Sequence, residues 1–326
     1  MRRSLLLAPI LASLLALPVA PATDHAPVEA KIIRQFKAGS DETRFGALEF
    51  VGGLQYSSVD SRLGGVSAIR FRPNGRDFIA VLDTGDWMTG TIERDAKDRL
   101  SGLSSLSISA MLDARGRASS KFDMDSEGLA LQPGRLIVSY ERRHRIDAYP
   151  DPGYAGARPQ PVDMVIPRHE LRANGGIETI AASPADGPLA GALVAVSEQS
   201  IDGDGNLFAA ILDGPNKGIF KVARQEPWAV TDGAFLPDGD LILLERRFSL
   251  VAGVGMRMRR IAGNSIQPGA LVDGNVLVEA DMGAEIDNME GLDVLSENGE
   301  IRIIVVSDDN RSFLQRNLML EFRLAD

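Results

Sequence analysis

The stretch Ser126–Ala130 reads Ser-Glu-Gly-Leu-Ala, and altered copies of it recur along the chain. Two clear copies are Thr231–Phe235 (Thr-Asp-Gly-Ala-Phe) and Met289–Asp293 (Met-Glu-Gly-Leu-Asp), and two weaker ones are Ile177–Ala181 and Val66–Ile69. Each copy is followed by a turn and then by a short apolar run that ends in an acidic residue. Repeats spaced roughly 50 to 60 residues apart are typical of solenoids and propellers.

The repeat unit consists of strands. Arg135–Tyr140, Leu241–Leu244 and Ile301–Val306 are short, aliphatic runs bounded by turn formers such as Pro133–Gly134, which is typical of buried strands joined by hairpins. A unit of this length holds about four strands, as a propeller blade does. The sequence therefore predicts an all-β protein, a β-propeller with five visible repeats that is five- or six-bladed.

The two ends of the domain offer two ways to complete the ring. Phe45–Ser58 is typical of a further strand pair. It either closes the ring against a C-terminal strand at Leu318–Leu324 or belongs to a sixth blade. We expect a single propeller domain over residues 31–326, preceded by a flexible leader over residues 23–30.

Residues 1–22 have the pattern of a secretory signal peptide. Arg2 and Arg3 form a positive start, Leu5–Val19 is apolar, and Ala20–Ala22 is a small-residue cleavage site. The pattern predicts a periplasmic or secreted protein without stable membrane insertion, and the alternative is an N-terminal membrane anchor. The chain has no cysteine, so no disulfide can form, and its net charge of −10 disfavours nucleic acid as a partner.

The repeat predicts a ring of carboxylates. The first strand of each propeller blade lines a central channel, so equivalent positions in the repeat meet at one end of it. The predicted metal ligands are Glu127, Glu178, Asp232 and Glu290; the weakest copy has Ser67 in this position. Converging carboxylates repel one another unless protons or cations neutralise them, and oxygen ligands suit Ca²⁺. Alternatively, each acid caps a turn or pairs with a neighbouring arginine.

A second predicted ring comes from the acids at the ends of the following strands. Its members are Asp83, Glu141, Glu198, Glu245 and either Asp308 or Asp309. Three of these strand ends are followed by arginine, which binds phosphate and carboxylate groups through two hydrogen bonds. The catalytic candidates are thus Glu141, Glu245 and Asp308, and the substrate-binding candidates are Arg142, Arg246 and Arg311. The alternative is that these arginines form surface ion pairs.

Three segments carry a family resemblance. Phe122–Ala130, Asp232–Gly239 with Leu244–Ser249, and Asn288–Asp293 with Val306–Asn310 resemble the phytase-like family, described as having esterase-like activity of phytase. The resemblance runs from about residue 60 to the C-terminus and implies an exported β-propeller that hydrolyses phosphate or other esters. The strand starts also resemble the calcium-binding strand starts of gluconolactonase-type propellers. Ser67 and Thr179 depart from the pattern.

Two functions fit these observations. The first is a metal-dependent hydrolase that acts on a phosphate ester or another ester, and thus on a small anionic or ester substrate. The order of an acid followed by arginine favours this function. The second is a non-catalytic propeller that binds a ligand or a protein at the channel mouth, which the lack of a recognisable nucleophile motif favours.

Overall fold

Five sheets, antiparallel except for one strand pair, surround a common axis in the computed structural model, which describes residues 27–249, 251, 253–297 and 299–325. Each sheet is one blade of a five-bladed β-propeller, so the predicted fold class is confirmed and the blade number is five. Within the described residues, helix is limited to three single 3-10 turns, at Tyr154–Gly156, Arg168–Glu170 and Gly263–Ser265.

The strands follow in chain order. Before the first blade lie β1 (Val28–Ile33), β2 (Arg44–Phe45) and β3 (Leu48–Ser58). The first blade is β4 (Val66–Phe71), β5 (Asp77–Leu82), β6 (Asp86–Arg94) and β7 (Leu100–Ala110). The second is β8 (Ser126–Gln132), β9 (Arg135–Tyr140), β10 (Arg145–Pro150) and β11 (Gln160–Val162). The third is β12 (Ile177–Ala182), β13 (Leu193–Ile201), β14 (Leu207–Ile211) and β15 (Gly218–Val222).

The strands of the last two blades are not all consecutive in the chain. The fourth consists of β16 (Ala229–Phe235), β17 (Leu241–Ser249), β18 (Gly253–Ile261) and β20 (Asn275–Asp281), while β19 (Leu271–Val272) pairs in parallel with β15 of the third blade. The fifth contains β21 (Asn288–Glu297), β22 (Glu300–Asp308) and β23 (Asn317–Leu324), followed outward by β3 and β1.

The fifth blade closes the ring. Strand β23 pairs with β3 from Asn317 opposite Tyr56 to Leu324 opposite Leu48, so that one sheet joins both ends of the chain. The predicted closure against the C-terminal strand is confirmed, and the sixth blade is ruled out. The predicted leader differs in part, because β1 begins at Val28 and pairs with β3.

The predicted signal peptide over residues 1–22 lies outside the described residues. In the part of the chain that the structure describes, no helix has the length and apolar character needed to cross a membrane.

Apolar packing holds neighbouring blades together. The buried apolar residues form five clusters, one in each interface between adjacent blades. In the interface that closes the ring, Val66 and Ile69 of the first blade pack with Ile304 and Val306 of the fifth. Burial of these faces is the main favourable contribution to folding, and it requires all five blades.

A buried ion pair occupies the axis. The guanidinium group of Arg70 binds both carboxylate oxygens of Asp232, each at 2.8 Å. It also donates hydrogen bonds to the backbone oxygens of Ile180, Gly233 and Leu292 at 2.6 to 3.0 Å. One side chain thereby connects the inner strands of the first, third, fourth and fifth blades.

We expect Asp232→Asn to lower the free energy of unfolding by about 3–5 kcal/mol, because it leaves the buried Arg70 charge without its partner. Denaturant unfolding monitored by circular dichroism measures the change. The matched control is Asp163→Asn, which removes an exposed partner of Lys217 and should cost less than about 1 kcal/mol. Equal effects of the two substitutions would contradict the structural role of the axial pair.

Candidate functional site

Each inner strand carries a β-bulge near its start. The pairing register shifts at Ser67 in β4, Glu127 in β8, Glu178 in β12, Thr231 in β16 and Glu290 in β21. A bulge leaves one residue unpaired and redirects its side chain. The bulged residues therefore form the first ring at one end of the channel, which we call the mouth.

The glycine of the repeat follows from close packing around the axis. A Cβ atom on Gly128 would lie 2.5 Å from the backbone oxygen of Glu178, and one on Gly291 would lie 3.3 Å from the Cα of Ala68. Neighbouring inner strands thus approach one another directly after the bulge. This spacing brings the bulged side chains of neighbouring blades close to each other.

The second ring follows from the pairing of each inner strand with the next strand. Leu82, Tyr140, Ser197, Glu245 and Ser307 pair with the residues that precede the five bulges. The residue after each of these faces the mouth. The second ring is therefore Asp83, Glu141, Glu198, Arg246 and Asp308.

The fourth blade departs from the sequence prediction by one residue in both rings. Asp232 pairs with Leu244 directly after the bulge at Thr231, and its side chain is buried against Arg70 on the axis. Glu245 is also buried, where it binds Arg257 and Arg259 at 2.6 Å each. The structure does not bring Asp232 or Glu245 to the mouth, because Thr231 and Arg246 occupy the two ring positions.

The mouth is an acidic cleft of about 200 Å³. Eight carboxylates line it: Asp83, Asp125, Glu127, Glu141, Glu178, Glu198, Glu290 and Asp308. Three cations also line it, namely Lys121, Arg142 and Arg246. The structure thus brings together three of the four predicted metal ligands, two of the three catalytic candidates, and two of the three substrate-binding arginines.

Two groups of carboxylates have the spacing of a metal site. Within each group, one oxygen per residue lies within 4.8 Å of the others; the groups are Asp125, Glu127 and Glu141, and Glu141, Glu178 and Glu198. Glu141 belongs to both. All the donors are oxygens, which fits a hard cation such as Ca²⁺ or Mg²⁺ better than a soft one.

Backbone amides hold two of these carboxylates in place. Gly175 and Gly176 donate to the same oxygen of Glu141, at 2.5 and 3.0 Å. Gly65 and Asn310 donate to one oxygen of Asp308, at 2.8 and 2.7 Å. One oxygen of each carboxylate is therefore fixed by the protein, and the other is available to a ligand.

Arg246 is held between two carboxylates. Its nitrogens lie 3.4 Å from Glu198 and 3.3 Å from Glu290, and it donates to the side-chain oxygen of Asn288 at 2.9 Å. Its buried Nε is the nitrogen that faces Glu290, in an ion pair and not in a hydrogen bond. This arrangement fixes the guanidinium group at the mouth between the third and fifth blades.

The other predicted arginines differ in position. Arg142 lines the cleft and binds Asp125 at 2.5 Å. Arg311 lies outside the lining, where it reaches Arg62 and Thr84 in neighbouring loops at 3.4 Å. It lies two positions farther from its strand-end acid than Arg142 does, because Asp309 and Asn310 separate it from Asp308.

Several of the carboxylates at the mouth hold protons more tightly than exposed ones do. Burial, followed by repulsion from neighbouring acids, raises the pKa values of Glu127 and Glu178 well above their usual range. Burial raises the pKa of Glu290 to about 7, although Arg246 opposes the rise. Burial likewise raises the pKa of Asp308 to about 6. Concentrated negative charge with shifted pKa values is typical of a functional site.

Sequence reasoning missed two charged residues of the cleft. Asp125 precedes the Ser-Glu-Gly phrase by one position, and its place beside the repeat was a usable signal. Lys121, which forms an ion pair with Asp83, lies in a loop without any repeat. No sequence pattern places that lysine at the mouth.

The comparison with protein families agrees with this architecture. Residues 61–311 match the phytase-like family, which is described as esterase-like activity of phytase. The chain belongs to the phytase-like family. No protein of curated function matches this phytase-like chain in sequence.

Solved structures offer only distant similarity. The PQQ-bound aldose sugar dehydrogenase of Streptomyces coelicolor shares 15% identity over 91% of this chain and 98% of that chain, with a TM-score of 0.41. A Thermus thermophilus oxidoreductase described as a glucose dehydrogenase shares 14% identity over 90% and 100% of the two chains, with a TM-score of 0.37. Similarity at this level carries no argument about the function of the phytase-like chain.

We expect Glu178→Gln to stabilise the metal-free protein by about 0.5–2 kcal/mol, because burial and neighbouring acids disfavour the ionised carboxylate in the folded state. The same substitution should weaken divalent cation binding. Thermal unfolding in chelator and calorimetric titration with Ca²⁺ measure the two effects. Glu170→Gln, in an exposed turn, is the control and should change neither quantity. If Glu178→Gln were less stable than the wild type in chelator, this explanation of its effect would be contradicted.

Proposed function

We propose that the protein is a metal-dependent hydrolase of phosphate or other esters. The observation that carries the proposal is the mouth cleft. It is lined by two clusters of three carboxylates, both of which include Glu141, and by Arg246. Membership of the phytase-like family supports an ester as the substrate. Each part of the cleft has a distinct role in the proposal.

The metal is assigned to the side of the cleft formed by the second and third blades. Glu141, fixed by two backbone amides, is the central ligand, and Glu127 and Glu178 flank it from their bulges. Ca²⁺ is the proposed ion because a flexible set of carboxylate oxygens suits its coordination. Such an ion, when bound, polarises an ester oxygen and lowers the pKa of water.

The substrate anion is assigned to Arg246. Its guanidinium group lies between the metal side of the cleft and the carboxylates of the fifth blade, where it is paired with Glu198 and Glu290. Arg142 adds positive charge from the second blade. These cations hold one negatively charged group while the carboxylates around them exclude further anions.

Proton transfer is assigned to Asp308. One of its oxygens is fixed by Gly65 and Asn310, and its raised pKa lies near neutral pH, which suits a general base. In the proposed reaction it accepts a proton from the attacking water as the water oxygen bonds to the phosphoryl or acyl centre. The proton then passes to the leaving alkoxide as the ester bond breaks.

We expect purified protein to lose thermal stability on chelation, since a bound cation stabilises the fold by about 2.7 kcal/mol at one hundred times its dissociation constant. Arg246→Gln should raise KM for a phosphate monoester by about tenfold or more while it preserves stabilisation by Ca²⁺. Arg247→Gln is the matched control, because Arg247 lies against Trp228 outside the cleft lining.

The same experiments separate hydrolysis from binding. No metal by elemental analysis and an unmoved melting curve in chelator would overturn the metal site. A metal-loaded protein that binds phosphate but turns over neither phosphate nor carboxylic esters would support the non-catalytic binding propeller instead. An unchanged KM in Arg246→Gln would remove the arginine from the proposed anion site.

We also propose export to the periplasm or the medium, based on the signal-peptide pattern of residues 1–22. Cleavage after Ala22 should leave Thr23 as the first residue of the mature protein. N-terminal sequencing of the protein recovered from the periplasm or the medium tests this. Met1 at the start of the mature protein would contradict the proposal.

A further inference from the structure

Exposed apolar side chains are concentrated at the mouth end of the propeller. Among the described residues, ten large apolar side chains are exposed, and seven of them lie in or beside the connections at this end: Val59, Phe122, Phe248, Val251, Met282, Phe313 and Leu314. Soluble proteins rarely group such side chains on one surface without a role in binding. The opposite end has no comparable group among the described residues.

Three of these residues are aromatic and lie close in sequence to residues of the cleft. Phe122 follows Lys121, Phe248 is two positions beyond Arg246 on the same strand, and Phe313 is three positions beyond Asn310. Because strand side chains alternate, Phe248 and Arg246 lie on the same face of β17. We call Phe122, Phe248 and Phe313 the aromatic rim.

The rim comes from three different parts of the ring. Phe122 precedes the second blade, Phe248 ends β17 of the fourth, and Phe313 lies between β22 and β23 of the fifth. The three side chains are 55%, 68% and 96% exposed, respectively. The mouth end therefore carries exposed aromatic surface at three places around the ring.

The cleft itself excludes a polyanion. Eight carboxylates and three cations line about 200 Å³, so the lining carries excess negative charge that a bound divalent cation offsets only in part. Arg246 offers one position for an anionic group, and a second phosphate nearby would face carboxylates. A compound with many phosphates would be repelled, whereas one with a single anionic group would not.

We propose that the cleft takes a free amphiphile, namely an ester with one anionic head group and an alkyl or aryl tail that lies on the aromatic rim. This inference rests on the proposed function for the identity of the site and adds the class of substrate. The ligand is a dissolved molecule rather than a membrane lipid, because a chain with net charge −10 and an acidic mouth is repelled by anionic bilayers.

Binding of an alkyl phosphate series tests the tail. Monobutyl, monohexyl and mono-octyl phosphate, each below its micelle concentration, are titrated calorimetrically into the full-length protein with Ca²⁺ present. Affinity should rise about two- to fourfold per methylene group, as expected for apolar burial. The double substitution Phe248→Ser and Phe313→Ser should flatten this dependence, while affinity for inorganic phosphate remains unchanged.

The matched control is Leu271→Ser with Val276→Ser, which removes two exposed apolar side chains away from the mouth. The control should retain the full dependence on tail length. Affinity that does not vary with tail length, or that varies equally in the rim variant and the wild type, would overturn the inference.

The readouts also separate this inference from the proposed function. Tail-dependent binding without turnover supports the amphiphile and contradicts the hydrolase. Turnover of short esters with no effect of tail length supports the hydrolase and contradicts the amphiphile. If neither inorganic phosphate nor any alkyl phosphate binds, both the hydrolase and the amphiphile proposals are contradicted. Sedimentation of the protein with vesicles of phosphatidylcholine and phosphatidylglycerol would contradict a dissolved ligand.

Discussion

The ion pair between Arg70 and Asp232 is the constraint on which the rest of the ring depends. Five blades packed through apolar faces could slide along the axis, because apolar contact has little directionality. Arg70 limits this freedom, since it lies on one inner strand and its hydrogen bonds reach three of the other four. This one buried guanidinium group therefore links the bulged inner strands of the first, third, fourth and fifth blades at the axis.

The fourth blade shows how the fold limits repulsion among the carboxylates at the mouth. A fully symmetric propeller would place an acid at every ring position, with nothing to balance the charge. Here Thr231 and Arg246 take both positions in one blade, while the acid that the repeat suggests at Asp232 serves the axis instead. The departure from symmetry therefore supplies both the axial anchor and the cation that lies among the carboxylates of the mouth.

The sequence predicts the architecture well because each blade repeats the same alternation of turns and apolar strands. It predicts Glu127, Glu178 and Glu290 at the mouth for the same reason. It fails by one residue at Asp232 and Glu245, because motif similarity aligns Asp-Gly with Glu-Gly, whereas the position of a bulge depends on pairing with the next strand. Lys121 could not be predicted, since its loop is placed by tertiary contacts.

The pairing of β23 with β3 determines when the propeller can close during synthesis. Strand β3 emerges early from the ribosome and must wait for the last strand of the chain before its edge is paired. Until then the apolar side of the first blade also lacks its neighbour. Such long-range pairing slows folding and prolongs exposure to aggregation. A chain that lacks its final ten residues should therefore remain an open ring in which the edges of β3 and β22 are unpaired, even when its first four blades are folded.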